Sequence, residues 1–166
     1  GLSYTIFAMI FEELAKGWMS ITGVIGTHSV MTHVLDTFGS EDQRIHWLPA
    51  LARGDKRGAL AITESDAGSD VAAIQTTAVL DKDTYVINGR KMFITNGNHC
   101  DVVLVLAKTN PSANPKHKGI SAFLVEKGPG LTVGPNLDKL GYRGIDTCEL
   151  IFENCRVPRI NLIGTK

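Results

Sequence analysis

Two short segments hold the residues whose types and spacing could do chemistry. Residues 60–73 read Leu-Ala-Ile-Thr-Glu-Ser-Asp-Ala-Gly-Ser-Asp-Val-Ala-Ala, with a short apolar strand from Leu60 to Thr63 opening into a loop of small and polar residues. Ala67-Gly68-Ser69 leaves main-chain N–H groups uncovered, and the Ser69 hydroxyl adds a donor. Side chains this small let a diphosphate approach the backbone closely, so the loop can bind an anion in a nest of N–H groups. Glu64, Asp66 and Asp70 would oppose that anion, so they are expected to face away and pair with backbone donors or solvent. Judged by its residues alone, the same stretch also reads as an ordinary polar turn. The second segment is Lys91-Met92-Phe93-Ile94-Thr95-Asn96-Gly97. On a strand, Phe93 and Thr95 project from one face and Ile94 from the other. A ring and a hydroxyl two residues apart offer a stacking surface and a hydrogen-bond donor to one flat polar heterocycle. A core phenylalanine beside a strand-forming threonine is the plainer alternative.

Other chemistries find less support. No G-x-G-x-x-G follows a strand and no G-x-x-x-x-G-K-[ST] occurs, which excludes the two common phosphate-loop folds. There is no H-E-x-x-H, and His28 and His33, five residues apart, fall on different faces of a helix, so they do not form a metal pair. Gly23-Val24-Ile25-Gly26 reads as a close-packing device inside a helix. His99-Cys100-Asp101 superficially resembles a Cys/His nucleophile, but it follows the Asn96-Gly97 turn and adjacent residues there point apart. The three cysteines (Cys100, Cys148, Cys155) fit neither a disulfide framework nor a zinc site and indicate a reducing compartment. With 17 basic and 17 acidic side chains the formal charge is zero, which argues against a nucleic-acid partner. At 43% hydrophobic residues over 166 positions there is enough apolar surface for a core, so wholesale disorder is excluded.

The elements that must position the two segments change character along the chain. From Ser3 to Lys16, Ile6, Met9, Ile10 and Leu14 form an apolar stripe widened by Phe7 and Phe11, with Glu12, Glu13 and Lys16 opposite; Ser3 caps this helix and Gly17 ends it. Gly17 to Leu35 contains no charged residue, yet its two histidines, three glycines and hydroxyl residues mark a helix buried against protein rather than a membrane span. This run needs a partner helix and is expected to leave apolar surface exposed in the isolated chain. A third helix starts at the capping box Ser40-Glu41-Asp42-Gln43, and Pro49 is expected to end or kink it near Trp47. Leu51 and Ala52 would then turn into Gly54-Asp55, the expected boundary between residues 1–54 and 55–166.

Beyond that boundary come short β-type runs at 76–80, 85–88, 91–95, 102–107, 120–126, 131–133 and 148–152. Asp81-Lys82-Asp83, Asn88-Gly89, Asn96-Gly97 and Gly128-Pro129-Gly130 separate them as turns, and Thr109 to Lys118 forms an exposed loop. The expected class is α+β, with helices packed on an antiparallel barrel or sandwich. The chain opens at Gly1 without a methionine and stops at Ile163-Gly164-Thr165-Lys166, so it is expected to be a fragment.

The first segment resembles the signature of the acyl-CoA dehydrogenase family, and Met92 to Gly97 resembles that family's second characteristic stretch at the expected distance. The resemblance continues through Gly119 to Val125, Leu140-Gly141-Tyr142-Arg143-Gly144, Asp146-Thr147, Val157-Pro158 and Ile163-Gly164, and backwards through Glu12-Glu13-Leu14 and Gly39 to Pro49. It implies the end of an N-terminal helical domain and a middle β-domain, without the C-terminal helical bundle. It further implies FAD as cofactor, an acyl-CoA substrate, an electron-transfer flavoprotein as acceptor and a homo-tetramer for the complete protein. The location implied is the bacterial cytoplasm or the mitochondrial matrix.

Carried over residue by residue, Leu60 to Ser69 would line FAD, including Leu60, Ile62, Thr63 at the pyrimidine edge, Gly68, and Ser69 beside FAD phosphate or the acyl-CoA. Phe93 stands where tryptophan is frequent and would pack on the flavin face away from substrate. Ile94 would also belong to the cofactor site, and the Thr95 hydroxyl would approach N5. Ser65 replaces a common proline. The catalytic base is expected in the C-terminal bundle, so no catalytic residue is assigned here and Glu64 is not the base. The alternatives are a non-catalytic flavin- or acyl-CoA-binding remnant and an acyl-CoA oxidase-like relative.

Overall fold

The computed structural model describes residues 2–164; Gly1, Thr165 and Lys166, on which the expectation about the chain ends partly rests, lie outside the described residues. Helix α1 spans Tyr4–Phe38 and α2 spans Glu41–Arg53. The Ser3 side chain accepts from the Ile6 N–H, as its type and position require. The expected break at Gly17 falls one residue later, at Trp18, whose φ −160° and ψ 107° divide α1 in two. Exposed apolar residues cluster around this break, with Tyr4, Ile6, Met9 and Ile10 before it and Trp18 and Met19 opening the uncharged run, whereas the rest of that run is mostly half-buried. The exposed apolar surface expected on the uncharged run is present at Trp18, Met19 and Val30, and the first segment adds its own at Tyr4, Ile6, Met9 and Ile10, while most of the later segment has the β-domain to pack on.

In α2 the capping box forms on both sides: the Gln43 N–H donates to Ser40 Oγ and the Ser40 N–H to Gln43 Oε1. Pro49 does not end the helix near Trp47. Pro49 and Ile45, whose carbonyl loses its helical partner, are both exposed, so water can satisfy that carbonyl while Leu51 on the opposite side is buried. Leu51 and Ala52 are accordingly helical, and Gly54 closes the helix with φ +79°.

Eight strands follow: β1 Gly58–Ala61, β2 Thr77–Asp81, β3 Thr84–Thr95, β4 Val102–Lys108, β5 Ile120–Glu126, β6 Leu131–Val133, β7 Thr147–Pro158 and β8 Leu162–Ile163. Their order is β6-β7-β3-β2-β4-β5-β8, with β1 paired to β4. Most pairs are antiparallel, as expected, but β1 runs parallel to β4, and β2 meets β4 in parallel through the single pair Thr77–Lys108. The order does not close into a barrel. Instead the β3/β7 side faces β1/β4/β5 across one core, where the rings of Tyr85 and Phe123 meet edge to face 4.8 Å apart. The expected first strand is displaced from Leu60–Thr63 to β1, and the last run extends well beyond Phe152. Asn88-Gly89 is no turn: β3 continues through it by a bulge, with Gly89 at φ +146° and a Cβ there only 2.4 Å from Thr76 Oγ1.

The outer side of β4 and β5 is covered by the helices. Met31, Leu35, Trp47 and Leu51 pack on Val102, Leu104 and Leu124, which is why β4 is apolar on both faces. Polar staples reinforce this layer. The Gly58 N–H donates to His28 Nδ1 at 3.0 Å, which leaves His28 Nε2 as donor to the Leu51 carbonyl at 3.2 Å. Gln43 Nε2 donates to the carbonyls of Ile160 and Leu162. Among the described residues no helix is long and apolar enough to cross a membrane.

Candidate flavin-facing site

Past β1 the chain runs through Ile62 and Thr63 into a tight turn, where Glu64 and Ala67 exchange main-chain hydrogen bonds of 2.9 and 3.3 Å. The Ala67 N–H is therefore not uncovered, as the residue types alone implied. Of Ala67, Gly68 and Ser69, the last two, both exposed, keep N–H groups with no partner among the described residues. A Cβ at Gly68 would meet nothing within 4 Å, so open space lies over this stretch of backbone. Asp66 is exposed, and Asp70 turns its Oδ1 onto the Ala72 N–H at 3.1 Å. Asp70 is thus occupied with a backbone donor, and Asp66 makes no hydrogen bond to the Gly68 or Ser69 N–H.

The two chemistry-bearing segments lie side by side. The Met92 N–H donates to the Thr63 carbonyl at 2.8 Å, joining the end of the first segment to the bulge of β3. Between Lys91 and Ile94 the register against β7 shifts, and Phe93 sits in the left-handed region at φ +59°. The alternation expected for a flat strand is broken, since Lys91 and Ile94, three residues apart, are both buried. Phe93 stays 61% exposed and Thr95 half-buried. A bulky residue in this conformation persists only where its surroundings over-determine it. The Ile94 side chain belongs to the core, so any contact it makes with a ligand uses its main chain. Ile62 and Thr63 are half-buried next to this bulge, whereas the half-buried Leu60 packs against the cluster beneath the helices that includes Met31, Leu35 and Leu104.

Beneath the site lies an ion pair that residue-by-residue reading missed. Lys91 is fully buried, and its Nζ donates to Glu64 Oε1 at 2.8 Å and to the Ile62 carbonyl at 2.9 Å. Glu64 also accepts from the Gln75 and Thr76 N–H groups. Burial works to raise the Glu64 pKa, but Lys91, Thr76 and these main-chain donors outweigh it and hold the carboxyl below the usual range. Burial pushes the Lys91 ammonium down, and Glu64 offsets only part of that. A carboxylate so enclosed has no reach to a substrate proton. The signal available beforehand was that a buried glutamate needs a cation, and Lys91 opens the other segment. Asn96 was missed as well. It is buried at φ +66°, and its Nδ2 donates to the Val24 and Gly58 carbonyls, stapling the turn to α1 and β1.

His99, Cys100 and Asp101 do not assemble a nucleophile. His99 pairs with Asp146 at 3.4 Å, Cys100 Sγ donates to the Gly97 carbonyl, and burial pushes the Cys100 thiol up to about 11. No group of three or more potential metal ligands occurs among the described residues. A cleft of about 980 Å³ lies between α2 and the chain's last strand, lined by Gln43, Trp47, Lys127, Arg156 and Asn161, and touches neither chemistry-bearing segment.

Comparison with known proteins agrees with this layout. Residues 1–55 match the family model "Acyl-CoA dehydrogenase, N-terminal domain" and residues 59–155 match "Acyl-CoA dehydrogenase, middle domain". The chain is 43% identical over 166 residues to the mitochondrial isovaleryl-CoA dehydrogenase of Pongo abelii, covering 99% of this chain and 39% of that protein. The crystal structure of an acyl-CoA dehydrogenase from Geobacillus kaustophilus superposes with a TM-score of 0.91 at 46% identity, over 95% of this chain and 42% of that one. A glutaryl-CoA dehydrogenase from Mycobacterium smegmatis, solved in complex with FADH2, gives a TM-score of 0.80 at 37% identity, over 94% of this chain and 38% of that one. The chain thus spans about two fifths of the length of the relatives it matches.

Proposed function

The chain belongs to the acyl-CoA dehydrogenase family, and on that premise we propose that it forms the flavin-facing part of an FAD-dependent acyl-CoA dehydrogenase. The observation that carries this reading is Phe93, held exposed in a left-handed conformation one residue from the Met92–Thr63 hydrogen bond that joins the two segments. The residues fit the cofactor. Phe93 presents an apolar face to a flat ring, Thr63 and Thr95 bring hydroxyls to its polar edges, and Leu60 and Ile62 flank it. Gly68 and Ser69 offer free N–H groups, open space and a hydroxyl to phosphate or to the acyl-CoA. Ile94 supports the ring through its main chain.

Bound FAD would supply the acceptor for a hydride leaving the β-carbon of an acyl-CoA thioester. The part played by this chain is to bind and orient: hydrogen-bond donors fixed by the fold stabilise charge gained at the ring without reorganising. Glu64, committed to Lys91 and the 75–76 main chain, does not take the α-proton; that base belongs to the C-terminal helical bundle that the family resemblance implies. Residues 1–54 act as the helical cover and 55–166 as the cofactor-binding body. The complete protein passes electrons to an electron-transfer flavoprotein and assembles as a tetramer.

Titrating the chain with FAD and following flavin fluorescence and visible circular dichroism tests this reading. Weak but saturable binding is expected, with no bleaching by acyl-CoA from this chain alone. Absence of binding at millimolar FAD, or binding unchanged in both Phe93→Ala and Thr63→Ala, would overturn it.

A further inference from the structure

The buried pair of Glu64 and Lys91 is tied into three separate stretches of chain. Lys91 Nζ bonds the Ile62 carbonyl and the Glu64 carboxylate, on either side of Thr63. The Thr63 carbonyl in turn receives the N–H of Met92, the residue after Lys91. Glu64 spreads its two oxygens over the Gln75 and Thr76 N–H groups, which lead into β2. Thr63 is therefore held between two contacts made by one ammonium, and that ammonium sits at the first residue of the bulge that places Phe93 at φ +59°. An apolar pair of similar volume would fill the same space, and replacing a buried ion pair in that way is frequently neutral or stabilising. It would lose the directional bonds to Ile62 and the 75–76 main chain.

We infer that Glu64 and Lys91 are positioning residues, a buried clamp that sets the spacing between Thr63 and the Phe93–Thr95 bulge and so shapes the ring site from below. The flavin consequence rests on the reading given under Proposed function; the spacing consequence does not. Neither side chain touches the ligand, because both are turned inward and enclosed.

The decisive variant is Glu64→Gln with Lys91→Met, which removes both charges together and leaves no buried ion uncompensated. Its thermal midpoint is expected to stay near that of the unaltered chain. Amide exchange at Met92, which reports the bond to Thr63, is expected to accelerate at least tenfold, while exchange in β4 and β5 stays unchanged. The FAD dissociation constant is expected to rise about tenfold, and the visible circular dichroism of bound flavin to change. Glu64→Asp, which keeps the charges but withdraws the carboxylate by one methylene, is the second variant should the double variant not fold. It is expected to move Met92 exchange in the same direction. Unaltered Met92 protection in a folded variant overturns the clamp, whatever FAD does. If the unaltered chain binds no FAD, the flavin reading fails, while Met92 exchange still decides the clamp. Faster Met92 exchange with unchanged FAD affinity and dichroism overturns the link from clamp to ring site.

Discussion

Met9 on the first turns of α1 and Phe93 on β3 are exposed to almost the same extent, 60% and 61%, for opposite reasons. The segment before Trp18 is a capped amphipathic helix with no buried residue among those described, so its apolar stripe faces solvent for lack of a partner. Phe93 is flanked by buried Lys91 and Ile94, bonded through Met92 to Thr63, and held at a φ that ordinary side chains avoid. The first exposure is what remains when nothing packs; the second is built. Exposed area by itself therefore does not locate a site. Exposure maintained against backbone strain marks a candidate site.

Three substitutions probe this contrast. Leu35→Ala, in the half of α1 that does pack, removes a fully buried side chain from the layer over β4, and is expected to cost about 2–5 kcal/mol in urea unfolding. A cost near zero would mean that neither half of α1 is anchored. Phe93→Gly relieves a left-handed residue, a gain of about 1–2 kcal/mol set against roughly 0.5–1 kcal/mol for the extra freedom of glycine, so the folded chain should gain about 0–1.5 kcal/mol. The same variant should bind FAD about tenfold more weakly, and destabilisation with unaltered binding would show that the exposure serves packing. Met9→Ser should leave unfolding within about 0.5 kcal/mol while lowering fluorescence of a hydrophobic dye. A larger loss would place an unrecognised partner against the first turns.

Much of the frame was legible because it rests on short-range interactions. Ser3 and the Ser40–Gln43 box act within three residues, and the β5 and β6 ranges follow from apolar runs bounded by turn residues. The reading went wrong where solvent exposure or a distant partner overrides a local rule. Pro49 stays inside α2 because its side of the helix faces water, and Asn88-Gly89 bulges because β7 pairs on both sides of it. Within the candidate site, the turn of Asp70 onto a backbone donor was legible. The Ala67 N–H, taken by Glu64 across the turn, was not.

What the sequence by itself determined was the family, the α+β order of the elements and the two stretches that make up the candidate site, since each is written in contiguous residues. Only the tertiary structure decided that these stretches touch, that a lysine in an alternating strand turns fully inward, and that Phe93 adopts a left-handed conformation. The physical reason lies in the Lys91–Glu64 pair. Its members are 27 residues apart, and a charge can be buried only where a folded chain brings its counter-charge and the neighbouring carbonyls to within hydrogen-bond reach.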